Sequence, residues 1–358
     1  MNAPNEIRTM LVESATRLFA DHVDAKMLEA AKCDGWSAAL WATMESAELP
    51  RVSVSEDAGG AGGTVSDLAA VLRVAGRYAA PVPFAETALL ANWLLAGAGL
   101  ELPHGPLAVF PGAPLSAQRS GSGWVVSGVR ARVPWARIAT RLVGLAESDG
   151  QLLVVMVDPG ACQIAPGRNL AGEPRDHVTL RQVPALLAAP AAAGVTACTL
   201  RQRAALGRAL LMAGALERAL EISVAYAKQR VQFGRPIAQF QAMQQELARA
   251  GGEVAVAVAA ALLAAGAVER RGDALTEVAA AKICAANAAR EVALIAHQVH
   301  GAIGVTNEYP LHHSTLRLWS WRDEDGNEVE WSMALGREVQ QQGADALWPL
   351  LTSDAPAG

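Results

Sequence analysis

The chain has 358 residues, 52% of them hydrophobic and 18% charged, which sets it apart from disordered chains and provides enough apolar surface for a sizeable core. Its formal net charge is −5, with a pI near 5.9, and its Lys and Arg residues are scattered, which argues against nucleic acid and anionic membrane surfaces as partners. Only 5% of the residues are aromatic, and Ala-rich apolar runs with so little aromatic filling favour closely packed helices over a large sheet sandwich.

The first residues, Met1 to Glu6, carry no basic region leading into an apolar one, so no secretory signal is expected. From Ile7, apolar residues at Met10, Leu11, Ala15, Leu18 and Phe19 recur at helical spacing, as they do around Trp36, Leu40 and Met44. A glycine-rich run from Asp57 to Thr64 precedes a helical stretch through Leu68, Val71, Leu72 and Ala75, with Ser66 and Asp67 as candidate caps. No strand precedes these glycines and no Lys-Ser/Thr pair follows them, so they read as a connecting loop.

From Leu107 the period changes. Leu107 to Phe110, Gly123 to Val126, Arg141 to Leu145, Leu152 to Val157 and His177 to Leu180 are short β-prone runs between turn residues, which predicts a middle β domain. The Ala- and Pro-rich segment from Pro184 to Gly194 reads as a linker. Helical periodicity returns at Leu206, Leu210, Ala213, Leu216, Leu220 and Val224. A second helix carries Phe240, Met243 and Leu247 towards Leu262, a third runs through Ile283, Val292 and Val299, and a fourth through Met333 and Val339. The apolar run Val254 to Val268 is shorter than the roughly 20 residues a bilayer requires, which predicts a buried helix and no membrane insertion. The expected domains are 1–106 (N-terminal helices), 107–192 (middle β) and 193–358 (C-terminal helices). Cys33, Cys162, Cys198 and Cys284 are dispersed without metal-like spacing, as in a reducing, cytoplasmic compartment.

The densest chemical text is AYAKQRVQFGRPIAQFQ, residues 225–241. A helix there runs into a Gly and Pro turn, and Arg230, Gln232, Phe233 and Gln241 leave one corner. A bidentate phosphate donor, two amides and a flat apolar ring suit a phosphate-bearing aromatic cofactor. Together with Trp36, Pro50, the Gly59-Gly60 loop, GWVVSG at 123–128 and QVHGAIGVTNEYP at 298–310, this string resembles the acyl-CoA dehydrogenase family along essentially the whole chain. The resemblance implies an α+β, mainly α fold: an N-terminal helical domain, a middle β-barrel-like domain and a C-terminal four-helix bundle. It also implies FAD held across a subunit interface in homodimers or tetramers. By position, Arg230, Gln232, Phe233 and Gln241 are expected to reach the neighbouring subunit's FAD. Gln298, Gly301 and Ala302 are expected at its adenosine diphosphate end, where the family usually has a second glycine in place of Ala302. Trp135, within Val133-Pro134-Trp135, is placed against the flavin ring. The family's Thr-Glu-Pro and Gly-Ser-Asp text is replaced here by Phe110-Pro111-Gly112-Ala113-Pro114.

The implied reaction is FAD-dependent α,β-dehydrogenation of an acyl-CoA thioester, with electrons passed to an electron-transfer flavoprotein. It needs a carboxylate to take the α-proton while a hydride leaves the β-carbon. One family position for that base falls at Arg203-Ala204-Ala205, which offers no acid. The other falls within Arg322 to Glu328, where Asp325-Gly326 aligns best. Asp325 is therefore the expected base, with Glu324 and Glu328 as substitutes if an insertion shifts the loop; the same acidic run also fits a solvated turn capping a helix. Two other readings stand beside this one: a catalytically silent FAD-binding partner subunit of a heteromeric acyl-CoA dehydrogenase, and a non-CoA flavin oxidoreductase on the same scaffold. His297, His300, His312 and His313 lack a carboxylate at fixed spacing and read as packing or surface residues, so no metal is expected.

Overall fold

The structure, a computed structural model, describes residues 3–352 apart from 344 and 346. Helices α1 (Ala3–His22), α2 (Ala25–Asp34) and α3 (Ala38–Ser46) lead through the glycine loop to α4 (Val65–Arg77). The cap of α4 is Thr64, not Ser66: its hydroxyl accepts from the Asp67 amide, while the Asp67 carboxylate accepts from the Thr64 amide, closing a capping box. In the loop, the amides of Gly59, Gly60, Gly62 and Gly63 donate to carbonyls of Glu56, Ser55, Val54 and Val52. The loop is thus a connector whose donors are already satisfied. A π-helical turn over Glu86–Ala91 then runs into α5 (Asn92–Gly97), and this wider turn directs Glu86 into the interior.

Seven strands follow: β1 (Leu107–Val109), β2 (Leu115–Ser120), β3 (Gly123–Pro134), β4 (Arg141–Ser148), β5 (Gln151–Val157), β6 (Gln163–Ala165) and β7 (Arg175–Pro190). Their order is β1-β4-β2-β3-β7-β5, with β6 paired to β7 beside this path, and β5 also pairs with β4, so the sheet closes on itself as a barrel-like layer. Val126, Val133, Leu142, Val155 and Val178 fill its interior. The expected linker from Pro184 is instead the second half of β7. Pro184 pairs with Val125 just where β7 leaves β3, and Ala185 onward pairs with β5, so the missing proline N–H falls at the change of partner.

The bundle consists of α6 (Ala197–Gln229), α7 (Gln241–Arg271), α8 (Leu275–His300), α9 (Leu311–Asp323) and α10 (Glu328–Gln342), with a short α11 (Leu347–Thr352) beyond it. A two-residue hairpin, β8 (Val231–Gln232) with β9 (Arg235–Pro236), separates α6 from α7. The apolar run in α7 is buried on one face only: Val254, Ala257, Ala261 and Val268 pack inward, whereas Val256 and Leu263 face out of the single chain. Among the described residues α7 is the one helix apolar and long enough to cross a bilayer.

Glycines set the crossing of α4 and α6. A Cβ at Gly214 would lie 1.8 Å from the Arg73 carbonyl oxygen, and one at Gly76 would lie 2.1 Å from that of Leu211. The two backbones therefore touch. Gly214→Ala should destabilise by about 1–3 kcal/mol through overpacking. Gly336→Ala, on the open face of α10 with nothing within 4 Å, should stabilise by about 0.5–1 kcal/mol. Thermal unfolding of the two variants checks the pair.

Candidate functional site

A cavity of about 300 Å³ opens where the N-terminal helices, the barrel-like sheet and the bundle meet. The π turn contributes Glu86 and Leu90, the segment after β1 contributes Phe110 to Gly112, and α6 contributes Ala204 and Arg208. Asp323 to Gly326, between α9 and α10, completes the wall. That loop is pinned from below by Lys282 of α8, whose Nζ donates to the carbonyls of Trp321, Arg322 and Gly326 at 3.1, 2.7 and 2.8 Å. Trp331 Nε1 donates to the Asp325 carbonyl at 3.1 Å. Gly326 has φ +98°, and a Cβ there would meet Trp331 Nε1 at 2.6 Å, so glycine is required.

Arg208 enters this space from the middle of α6. Its guanidinium lies 2.6 Å from Glu86 Oε1, 3.0 Å from Glu324 Oε2 and 3.1 Å from Asp325 Oδ2. Arg175, at the start of β7, clasps the same Glu324 in a fork, Nη2 to Oε2 at 2.7 Å and Nε to Oε1 at 2.8 Å. Glu173 pairs with Arg175 and Arg317 and accepts from Trp321 Nε1. Within this network only Asp325 is half-buried, the other charged groups being buried. The π turn, β7, α6 and the loop between α9 and α10 thus meet in one network of ion pairs.

Burial alone would raise the Glu324 carboxyl, but Arg175 and Arg208 hold it at about 2, well below its ordinary 4.5. Such a carboxylate is a weak proton acceptor near neutral pH. Because the folded value is depressed, its stabilisation is present above the unfolded pKa and is lost as pH falls from about 4.5 through about 2. The loss expected from this group is on the order of 3 kcal/mol. The thermal midpoint should therefore fall across that window, and Glu324→Gln should flatten the fall.

The three expected acids do not converge. Glu324 and Asp325 come together on Arg208 at the cavity, whereas Glu328 heads α10 and pairs with Arg322 outside the cavity wall. Trp135, expected against the flavin ring, does not line this cavity. At the turn after β3 it adopts φ +61°, which buries its ring (2% exposed) behind the wall, with the Arg175 guanidinium 5.6 Å over it. Pro134 and Arg132 line the cavity in its stead.

The remaining cofactor candidates form a separate corner. Arg230 ends α6, and Phe233, with φ +53°, stands at the tip of the β8–β9 hairpin, 92% exposed. Arg230 and Gln241 are exposed beside it, while the Gln232 amide turns back to the Val231 carbonyl. Tyr226 stacks on His300 at 4.5 Å, joining this corner to the end of α8, where Gln298, Gly301 and Ala302 are exposed. Gly301 has φ +62° and open space at its Cβ position. Buried nitrogens of His297 (Nδ1) and His300 (Nε2) there lack hydrogen-bond partners.

Residues 195–327 match the model of the acyl-CoA dehydrogenase C-terminal domain. The acyl-CoA dehydrogenase IpdE2 of Mycobacterium tuberculosis is 30% identical over 312 residues, 86% of this chain and 90% of the relative. The chain belongs to the acyl-CoA dehydrogenase family. Among solved acyl-CoA dehydrogenase-like folds, the ChsE4-ChsE5 complex from Mycobacterium tuberculosis superposes with a TM-score of 0.86 at 26% identity, covering 93% of this chain and 97% of the matched one. A variant of the Tcur3481-Tcur3483 steroid enzyme of the same family gives 0.82 at 26% identity, covering 95% and 99%.

Family membership implies FAD, and the hairpin corner fits it. An exposed ring, an arginine with no ion pair, a glycine with free space and two unpartnered imidazole nitrogens suit the diphosphate and adenine end of that cofactor. In the cavity, Glu86, Glu324 and Asp325 all face the Arg208 guanidinium, and Arg175 also holds Glu324. Arg208 is the residue that sequence reasoning missed. Its one signal was a single charge within the otherwise uncharged stretch from Ala204 to Leu216 of α6, where an arginine is seldom fully buried unless it is paired.

Proposed function

We propose that this chain is the base-lacking, FAD-corner-donating subunit of a heteromeric acyl-CoA dehydrogenase. The observation that carries this is Arg208, which holds Asp325, Glu324 and Glu86 in one ion-pair network and so withdraws the acids that a base position would need. The reading gains support from relatives described as two-component systems, the ChsE4-ChsE5 complex and the Tcur3481-Tcur3483 enzyme. A carboxylate on the partner chain takes the α-proton of the CoA thioester, and an electron-transfer flavoprotein receives the electrons. Bound FAD supplies hydride acceptance from the β-carbon. This chain's own part is to hold that cofactor: Arg230 opposes the pyrophosphate charge, Phe233 covers the flat rings, and Gln232, Gln241 and Gln298 offer amides. Gly301, with Ala302 beside it, admits the close approach of the adenosine diphosphate. Four free, dispersed cysteines are consistent with our placing the assembly in the cytoplasm.

Anaerobic mixing with a panel of acyl-CoAs tests the division of labour. The FAD-loaded chain alone should not bleach, and bleaching should appear when a base-bearing acyl-CoA dehydrogenase partner is added. Asp325→Asn should leave the rate of the assembly within about twofold, whereas removal of a general base costs roughly 10²–10⁴-fold. Bleaching by this chain alone that disappears in Asp325→Asn would return Asp325 to the role of base.

A further inference from the structure

Helix α9, which leads into the acid loop, begins with an imidazole pair that the proposed function does not use. His312 and His313 are buried, with ring centroids 4.0 Å apart. Opposite them, Glu29 of α2 brings its Oε1 to 3.6 Å from His312 Nε2 and 3.9 Å from His313 Nε2. The three ligand atoms all lie within 4.8 Å of one another.

The protonation of His312 follows from its partners. Its Nδ1 lies 2.7 Å from the Tyr309 carbonyl, which can only accept, so Nδ1 carries the proton and Nε2 presents a lone pair towards Glu29. A backbone carbonyl fixing the tautomer in this way is the usual outer-shell support of a metal-binding histidine. Lys32 Nζ, which can only donate, confirms the assignment: it lies 3.0 Å from His312 Nε2 and 2.6 Å from Glu29 Oε1. An ammonium thus occupies the space between these ligands. Arg168 steadies the basket by donating to the carbonyls of Lys32 and Cys33 at the end of α2.

We infer that Glu29, His312 and His313 bind a divalent transition-metal ion of the Zn²⁺ or Co²⁺ type, with Lys32 as the cation that fills the basket in the metal's absence. Two imidazoles and one carboxylate are borderline ligands that suit such ions over Mg²⁺ or Ca²⁺. Bonds of about 2.0–2.1 Å in a tetrahedral arrangement set ligand atoms about 3.3 Å apart, so Glu29 has to close by about 0.3 Å on His312 and about 0.6 Å on His313, and the imidazole nitrogens, within 4.8 Å of each other, have to draw in as well. The Glu29 side chain is 47% exposed and free to make that adjustment. Lys32, with 29% of its side chain exposed, has a flexible stem that lets it swing out to solvent. Three protein ligands leave one position for water, and the ion ties α2 of the N-terminal domain to α9 of the bundle.

Co²⁺ titration of the full chain, followed by visible absorption and by thermal shift, provides the test. The expected result is one Co²⁺ per chain with the strong visible bands of a low-coordinate nitrogen and oxygen site. Glu29→Gln and His313→Ala should each weaken binding by roughly 10- to 100-fold. Lys32→Met should tighten it roughly tenfold by removing the competing charge. Glu29 is at the surface, so Glu29→Gln is expected to fold, and circular dichroism verifies that it does. Absence of the bands from both the unaltered chain and Lys32→Met overturns the site. Bands that persist unchanged in Glu29→Gln and His313→Ala overturn it too, because the ion then lies elsewhere. Unchanged affinity in Lys32→Met removes Lys32 from the role of internal occupant.

Discussion

Replacing Arg208 with leucine is expected to cost about 3–5 kcal/mol of stability, the range for breaking a buried ion pair by removing one partner. On a chain of this size the thermal midpoint should drop by on the order of 10 °C. The cost arises from what remains: Glu86 and Glu324, both buried, and Asp325, half-buried, lose the guanidinium that lies within 3.1 Å of each. Glu324 keeps Arg175, whereas Glu86 retains no other cation among the described residues. Arg208→Leu combined with Glu86→Gln should therefore recover a large part of the loss, since the charge left most isolated is gone. If the double change is no more stable than the single one, the stem of Arg208 packing in α6, and not its charge, carries the stability.

Arg230→Ala is expected to weaken FAD retention by the assembly by about 10- to 100-fold, the range for losing one charge-assisted contact to a phosphate. The fold and the thermal midpoint of this chain should not change, because Arg230 is exposed and makes no ion pair among the described residues. Arg230→Lys should restore only part of the affinity, since a lysine keeps the charge but not the fork. Fluorescence of released flavin during dilution measures the effect. Undiminished retention in Arg230→Ala shows that the corner does not hold the diphosphate, and a lowered midpoint shows that Arg230 has a structural part.

The elements with a regular period were legible. The 3.6-residue spacing of Leu206, Leu210, Ala213 and Leu220 yields α6, and the short β-prone runs between turn residues after Leu107 yield the strands. The second half of β7 was hidden because Ala and Pro are poor strand formers, and a long-range pairing with β5 overrides that preference. The burial of Trp135, at a positive φ after β3, was not legible either, because it depends on packing against distant residues such as Arg175. The Arg208 network was out of reach because its partners come from the π turn, β7 and the α9–α10 loop, and nothing local marks them as neighbours. The same reason hid the company of His312 and His313: their carboxylate is contributed by α2, at the opposite end of the chain.

The junction at Arg208 also constrains the routes by which the chain can diverge. An unpaired carboxylate at position 325 requires that Arg208 go, yet its loss alone abandons carboxylates contributed by separate segments of the polypeptide. Neutralising Glu86 first is no easier, because it leaves the guanidinium with one buried carboxylate fewer. Each single step descends into a stability deficit that only a second, coordinated substitution repairs. Descendants of this chain are therefore held in the charge-neutralised state by epistasis. Freeing one of these carboxylates from its ion pairs is a concerted multi-residue event, while drift on the exposed hairpin proceeds one residue at a time.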